Sequence, residues 1–192
     1  MKIGKVKVYG SFVLMWAALL YIDAGRLLYP VWCCAMIHEL GHWLPLRLLG
    51  GRVDEWELSA GGVRARVAPG MGLSYPAEIF CVLAGPLASF LCALCFANMD
   101  GIMAWSGICV IQGAFNMLPA SGLDGGRALS LALQWAGATN EPAVLKVATF
   151  VTAASTAIFS AFAFVRSGYS PAMLAAGLYA AISVFGRNDT DA

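Results

Sequence analysis

Residues 31–49 read VWCCAMIHELGHWLPLRLL. The stretch is apolar over nearly its whole length and close to the ~20 residues a helix needs to cross ~30 Å of hydrocarbon. Two histidines and a glutamate nevertheless stand near its centre. An acidic residue at mid-span costs about 2.5–3.5 kcal/mol even on the lenient insertion scale, so it requires a role or a partner. The spacing supplies a role. In His38-Glu39-Leu40-Gly41-His42 the histidines stand one helical turn apart on one face, so both imidazoles can reach a single tetrahedral ion. The intervening Glu39 is placed to take a proton from water, the arrangement of an H-E-x-x-H zinc motif. These are the only two histidines in the chain.

The rest of the sequence fits a membrane setting. Of 192 residues, 60% are apolar and 12% charged, against about 45–50% and about 25% in soluble domains. The mean hydropathy is +0.74. That composition excludes a disordered chain and an ordinary soluble domain. A net charge of +1 provides no field for steering a polyanion, so no nucleic-acid partner is expected. Six apolar stretches predict transmembrane spans at 9–28, 31–49, 76–97, 102–118, 143–165 and 171–185, the fourth being the least regular. Six spans place both termini on one side. Of the twelve lysines and arginines only Arg26 and Arg166 fall on the other side, which puts both termini in the cytoplasm. Lys2 to Lys7 resembles the charged start of a signal peptide, but the following apolar run is long and no A-x-A site follows it, so a retained span is expected. No internal repeat divides the chain, and one domain over 1–192 is expected.

One segment is not helical in pattern. In Val53–Val67, Trp56 and Leu58 flank Glu57, and Val63, Ala65 and Val67 alternate with Arg64 and Arg66 on either side of Ala60-Gly61-Gly62. This alternation predicts a β-hairpin, and Lys5 to Val8 repeats it. The predicted fold is therefore an all-α polytopic membrane protein of about six transmembrane helices, with a small β-hairpin or sheet on the membrane surface between the second and third. Cys33, Cys34, Cys81, Cys92, Cys95 and Cys109 lie in or beside the spans and read as small buried hydrophobes. Cys92-x-x-Cys95 lacks the second half of a metal site.

A catalytic zinc takes three protein ligands and keeps one position open. With no third histidine, the third ligand is a carboxylate or a thiolate. Cys34 lies one turn before His38. Asp124 lies in Asn116-Met117-Leu118-Pro119-Ala120-Ser121-Gly122-Leu123-Asp124-Gly125-Gly126-Arg127, after a span broken by Pro119. Asp-Gly-Gly by itself reads as a turn. Irregular backbone at membrane depth is tolerated where protein buries it or it lines a wet cavity, and that setting favours Asp124.

H-E-L-G-H in an early span, with N-x-x-P-x-x-x-L-D-G-G after a later one, resembles the site-2 protease family of intramembrane zinc metalloproteases. Phe115 to Pro119 and Leu123 to Arg127 are similar to the branch that processes sporulation sigma-factor precursors. Ala84-Gly85-Pro86-Leu87 also matches the family, with Ser89 where many members carry Asn. The resemblance covers roughly residues 5 to 135. It implies one zinc ion on His38, His42 and Asp124, Glu39 as general base, and Asn116 in contact with substrate or transition state. It also implies hydrolysis of a peptide bond within or beside the bilayer of a bacterial cell membrane, freeing a cytoplasmic fragment of a transmembrane substrate such as a membrane-bound transcription-factor precursor. No CBS or PDZ domain is expected.

From chemistry alone, an Asn116 amide can stabilise an oxyanion or simply join two helices. Ala60, Gly61, Gly62 and Val63 are expected to form an edge strand that pairs with an unwound substrate. The competing readings are a zinc or proton transporter, a non-catalytic zinc scaffold, and a metallohydrolase acting on lipid. A transporter is disfavoured by the lack of inverted repeats or a trail of acids.

Overall fold

The computed structural model describes residues 2–3, 6–10, 12–14, 17, 21, 28–51, 53–59, 62–67, 73–99 and 103–166. Most of the first expected span, all of the sixth, and Ala60 and Gly61 lie outside the described residues. Among the described residues the protein is mostly helical, with one four-stranded sheet. It divides into two compact units, Met1–Ala114 and Phe115–Ala192.

The first unit holds the strands β1 (Lys2–Ile3), β2 (Val6–Val8), β3 (Val53–Ser59) and β4 (Gly62–Val67). It also holds the helices α1 (Leu28–Leu48) and α2 (Tyr75–Ala97) and most of α3 (Met103–Asn116). The sheet runs β1-β2-β3-β4. Strands β3 and β4 pair antiparallel, with Leu58 opposite Val63 and Ser59 opposite Gly62, and a register shift lies between Val53 and Glu55. Strand β2 joins β3 in parallel, with Val6 opposite Trp56. A parallel pair needs a long crossover, and α1 lies in this one.

Helix α1 ends in a Schellman motif. Gly50 adopts φ +85°, Gly51 N–H donates to Leu46 O at 2.7 Å, and Gly50 N–H donates to Arg47 O at 3.2 Å. The left-handed residue at this position suits glycine alone at little cost, so Gly50-Gly51 fixes where the zinc-motif helix stops. Helix α2 begins after Ser74 with Pro76 in its first turn, where a missing N–H costs nothing.

Side chains on α2 are arranged the reverse of a soluble protein. Its buried positions are Cys81, Val82, Gly85, Pro86, Ser89 and Ala93, while Phe80, Leu87, Leu91 and Leu94 are exposed. Small residues inside and bulky apolar ones outside are the pattern of helices that pack closely in lipid. Helices α2 and α5 (Glu141–Arg166) are, among the described residues, the two long and apolar enough to cross a membrane. Together with the apolar exterior they point to a membrane protein.

Within the fourth expected span, 102–118, Ile102 lies outside the described residues. Helix α3 occupies 14 of the described residues there. It ends at Asn116, ahead of Pro119, in an irregular segment.

In the second unit that segment leads into α4 (Asp124–Trp135), a helix the hydropathy reading missed. Asp124-Gly125-Gly126, which by itself reads as a turn, opens this helix. The glycines serve a close approach. A Cβ on Gly125 would overlap the carbonyl groups of Met117 and Leu118, and one on Gly126 would overlap that of Ala120. Ala120 and Leu123 pack with Ala153 of α5 and with Phe115 and Leu118. The Thr149 hydroxyl accepts the Ser121 N–H at 2.9 Å and donates to Leu145 O at 2.7 Å, tying the segment to α5. Helix α4 ends at a second left-handed glycine, Gly137, with Ala138 N–H donating to Leu133 O at 2.9 Å.

Candidate metal centre

The zinc motif lies on the face that α1 turns towards α2. The residues on this face recur every four positions: Cys34 and His38 are buried, His42 half-buried and Leu46 buried. The facing stripe on α2 is Cys81, Gly85, Ser89 and Ala93. The helices run antiparallel, so that Cys34 meets Ala93, His38 meets Ser89 and His42 meets Gly85. Gly85 makes room for an imidazole: a Cβ there would overlap the ring of His42. Gly41 lets the backbones approach, since its Cβ would stand 2.6 Å from Ala88 Cβ and 2.7 Å from Ala84 O.

The two rings converge. His38 Nε2 and His42 Nε2 lie 3.2 Å apart, with the ring planes nearly perpendicular at 85°. Each remaining ring nitrogen is occupied. His42 Nδ1 lies 3.0 Å from Cys81 O, and His38 Nδ1 lies 2.9 Å from Ser89 Oγ. A carbonyl only accepts, so His42 carries its proton on Nδ1 and presents an Nε2 lone pair.

His38 and His42, in the first unit, offer two of the three protein ligand atoms a catalytic zinc ion takes, and Asp124, the first residue of α4 in the second unit, offers a carboxylate. Two donors at about 2.0–2.1 Å from a tetrahedral ion stand about 3.3 Å apart, close to the spacing of the two Nε2 atoms. Two imidazoles and a carboxylate also match the donor set of an open catalytic zinc site. The histidine pair fits the ion.

Cys34, the alternative third ligand, is engaged elsewhere. Its Sγ is 3.8 Å from Trp105 O, and it packs with Ala93 and Cys109. Glu39 is half-buried beside His38, and Asn116, also half-buried, is the last residue of α3. Gly62 and Val63 begin β4, which pairs with β3 and has no other strand beside it among the described residues. The sequence reading missed Ser89 and Cys81 as partners of the histidines. Their spacing of four about Gly85 is the signal that could have found them, once α2 is laid antiparallel to the zinc motif.

No protein-family model and no curated protein matches the chain. Among solved structures, the Site-2 Protease from Methanocaldococcus jannaschii superposes with a TM-score of 0.63 at 18% identity, over 97% of this chain and 92% of that one. The two chains share a fold.

Proposed function

We propose that this chain is an intramembrane zinc metalloprotease of the site-2 type. In this reading it crosses the membrane several times with both termini in the cytoplasm and cuts a transmembrane substrate to release a cytoplasmic fragment. The observation that carries the reading is the convergence of His38 Nε2 and His42 Nε2 at 3.2 Å. The fold shared with a site-2 protease adds support. The strings Phe115 to Pro119 and Leu123 to Arg127 favour the branch that processes sporulation sigma-factor precursors, which makes a membrane-bound transcription-factor precursor the substrate class of choice.

His38, His42 and Asp124 would hold the ion. A zinc ion bound there lets water attack at neutral pH and polarises the scissile carbonyl. Glu39 takes the proton from the attacking water and delivers one to the departing amine, so that no free charged amide nitrogen forms. The Asn116 amide donates a hydrogen bond to the developing oxyanion. A helical substrate must unwind before attack, and its freed backbone groups cost several kcal/mol in lipid if left without partners. The edge of β4 that no described strand covers receives that extended segment by strand addition. Replacing residues 63 to 66 one at a time by proline should raise KM at every second position while sparing zinc binding. Uniformly normal KM in folded variants would leave the sheet as a cover only.

The deciding experiment co-expresses the chain with candidate single-span proteins and compares it with Glu39→Gln. A fragment that depends on Glu39 and disappears on zinc chelation supports the reading. Zinc-bound protein that cuts equally well with Glu39→Gln, or that cuts nothing while moving zinc into vesicles, overturns it.

A further inference from the structure

The two histidines are held by unlike partners, and the difference falls on a single side chain. His42 leans on a backbone carbonyl, Cys81 O, which no substitution of a side chain removes. His38 leans on the hydroxyl of Ser89, which is fully buried on α2. A hydroxyl has one proton to give and lone pairs to receive with. Ser89 Oγ also reaches Gly85 O, one turn back, at 3.4 Å. When its proton goes to Gly85 O, the oxygen is left as acceptor for an Nδ1–H of His38. The chain His38 Nδ1–H to Ser89 Oγ–H to Gly85 O then turns the His38 Nε2 lone pair towards that of His42.

From this geometry we infer that Ser89 is the positioning residue for His38: it fixes the tautomer and ring orientation in which His38 binds the metal. The inference rests on the reading of the histidine pair as a metal site. Gly85 has two parts in it, since its missing side chain admits the His42 ring and its carbonyl receives the Ser89 proton. Burial makes the bond consequential. His38 is only 3% exposed, so water has little access to replace a lost partner, and a buried donor without one destabilises the state that needs it. Outer partners of ligating histidines are typically worth about 10–100-fold in metal affinity.

The chain has two histidines, so labelling histidine with nitrogen-15 gives two ring systems to follow in the full-length protein in detergent. In the zinc-loaded wild type, both Nδ1–H protons should be hydrogen-bonded and slow to exchange with solvent. Ser89→Ala should speed the exchange of the His38 proton alone and weaken zinc binding by about 10–100-fold. The His42 signal and the melting of the metal-free protein should stay unchanged, which separates a lost orienting bond from a damaged fold. Ser89→Thr, which keeps the hydroxyl, should restore zinc affinity to near wild type. Wild-type zinc affinity with Ser89→Ala, or equal changes at both rings, overturns the role of Ser89 while leaving the metal site standing. Wild-type protein that binds no zinc overturns both.

Discussion

Helices α1 and α2 meet along complementary stripes, and they divide the work unequally. On α1 the facing positions are Cys34, His38 and His42, and on α2 they are Ala93, Ser89 and Gly85. One helix carries the two histidines, and the other carries almost no side chain where their rings need space. Charge and polarity on α1 come at the expense of hydropathy, whereas α2, without them, is long and apolar enough to cross a membrane. The comparison teaches that a metal motif has two halves. The first is the residues that bind, and the second is the small residues that let the rings lie at a fixed distance and hydrogen-bond on their far side.

Substitutions can separate those halves. The largest expected effect is on the ligands themselves. Asp124→Asn should lower zinc affinity by more than the roughly hundredfold typical of outer partners, and turnover should fall with it; a zinc titration of purified protein measures the first. Full zinc occupancy would leave Asp124 only as the first residue of α4. An intermediate effect is expected from Gly85→Ala, which adds no polar group and removes none. Its Cβ would overlap the His42 ring, so we expect zinc affinity to fall about 10–100-fold in protein that still folds. Unchanged affinity would mean that α2 is a backdrop and not a template for the rings.

The smallest effect should come from Gly41→Ala. Alanine gains up to about 1 kcal/mol of helix propensity over glycine, but its Cβ would crowd Ala88 and Ala84. Overpacking typically costs about 1–3 kcal/mol, so a net loss of melting temperature is expected, with zinc affinity less affected than by Gly85→Ala. A rise in melting temperature would show that the helices separate at this point without cost.

The histidine pair was legible in the sequence because it is local. His38, Glu39 and His42 lie within one turn, and their placement needs no knowledge of the rest of the chain. The alternation on either side of Ala60-Gly61-Gly62 is likewise local, and strands β3 and β4 lie at those residues. What depended on contacts distant in sequence was hidden. The parallel pairing of β2 with β3 joins segments on either side of α1. Ser89 looks like any small residue of an apolar helix until its register against His38 is known. Asp124-Gly125-Gly126 reads as a turn because nothing in the string reveals that Met117, Leu118 and Ala120 lie against the glycines. Helix α4 followed the same fate, its 12 residues being too short to register as a span.

The central claim is that His38 and His42 hold a zinc ion together with an oxygen from Asp124, on rings set by α2. X-ray absorption at the zinc edge, on protein loaded with one equivalent, tests it most directly. The account predicts two imidazole nitrogens and oxygen donors, all at about 2.0–2.1 Å, with no sulfur. A scatterer at about 2.3 Å would mean that a cysteine had taken the place assigned to Asp124, and a spectrum without imidazole would contradict the metal site altogether.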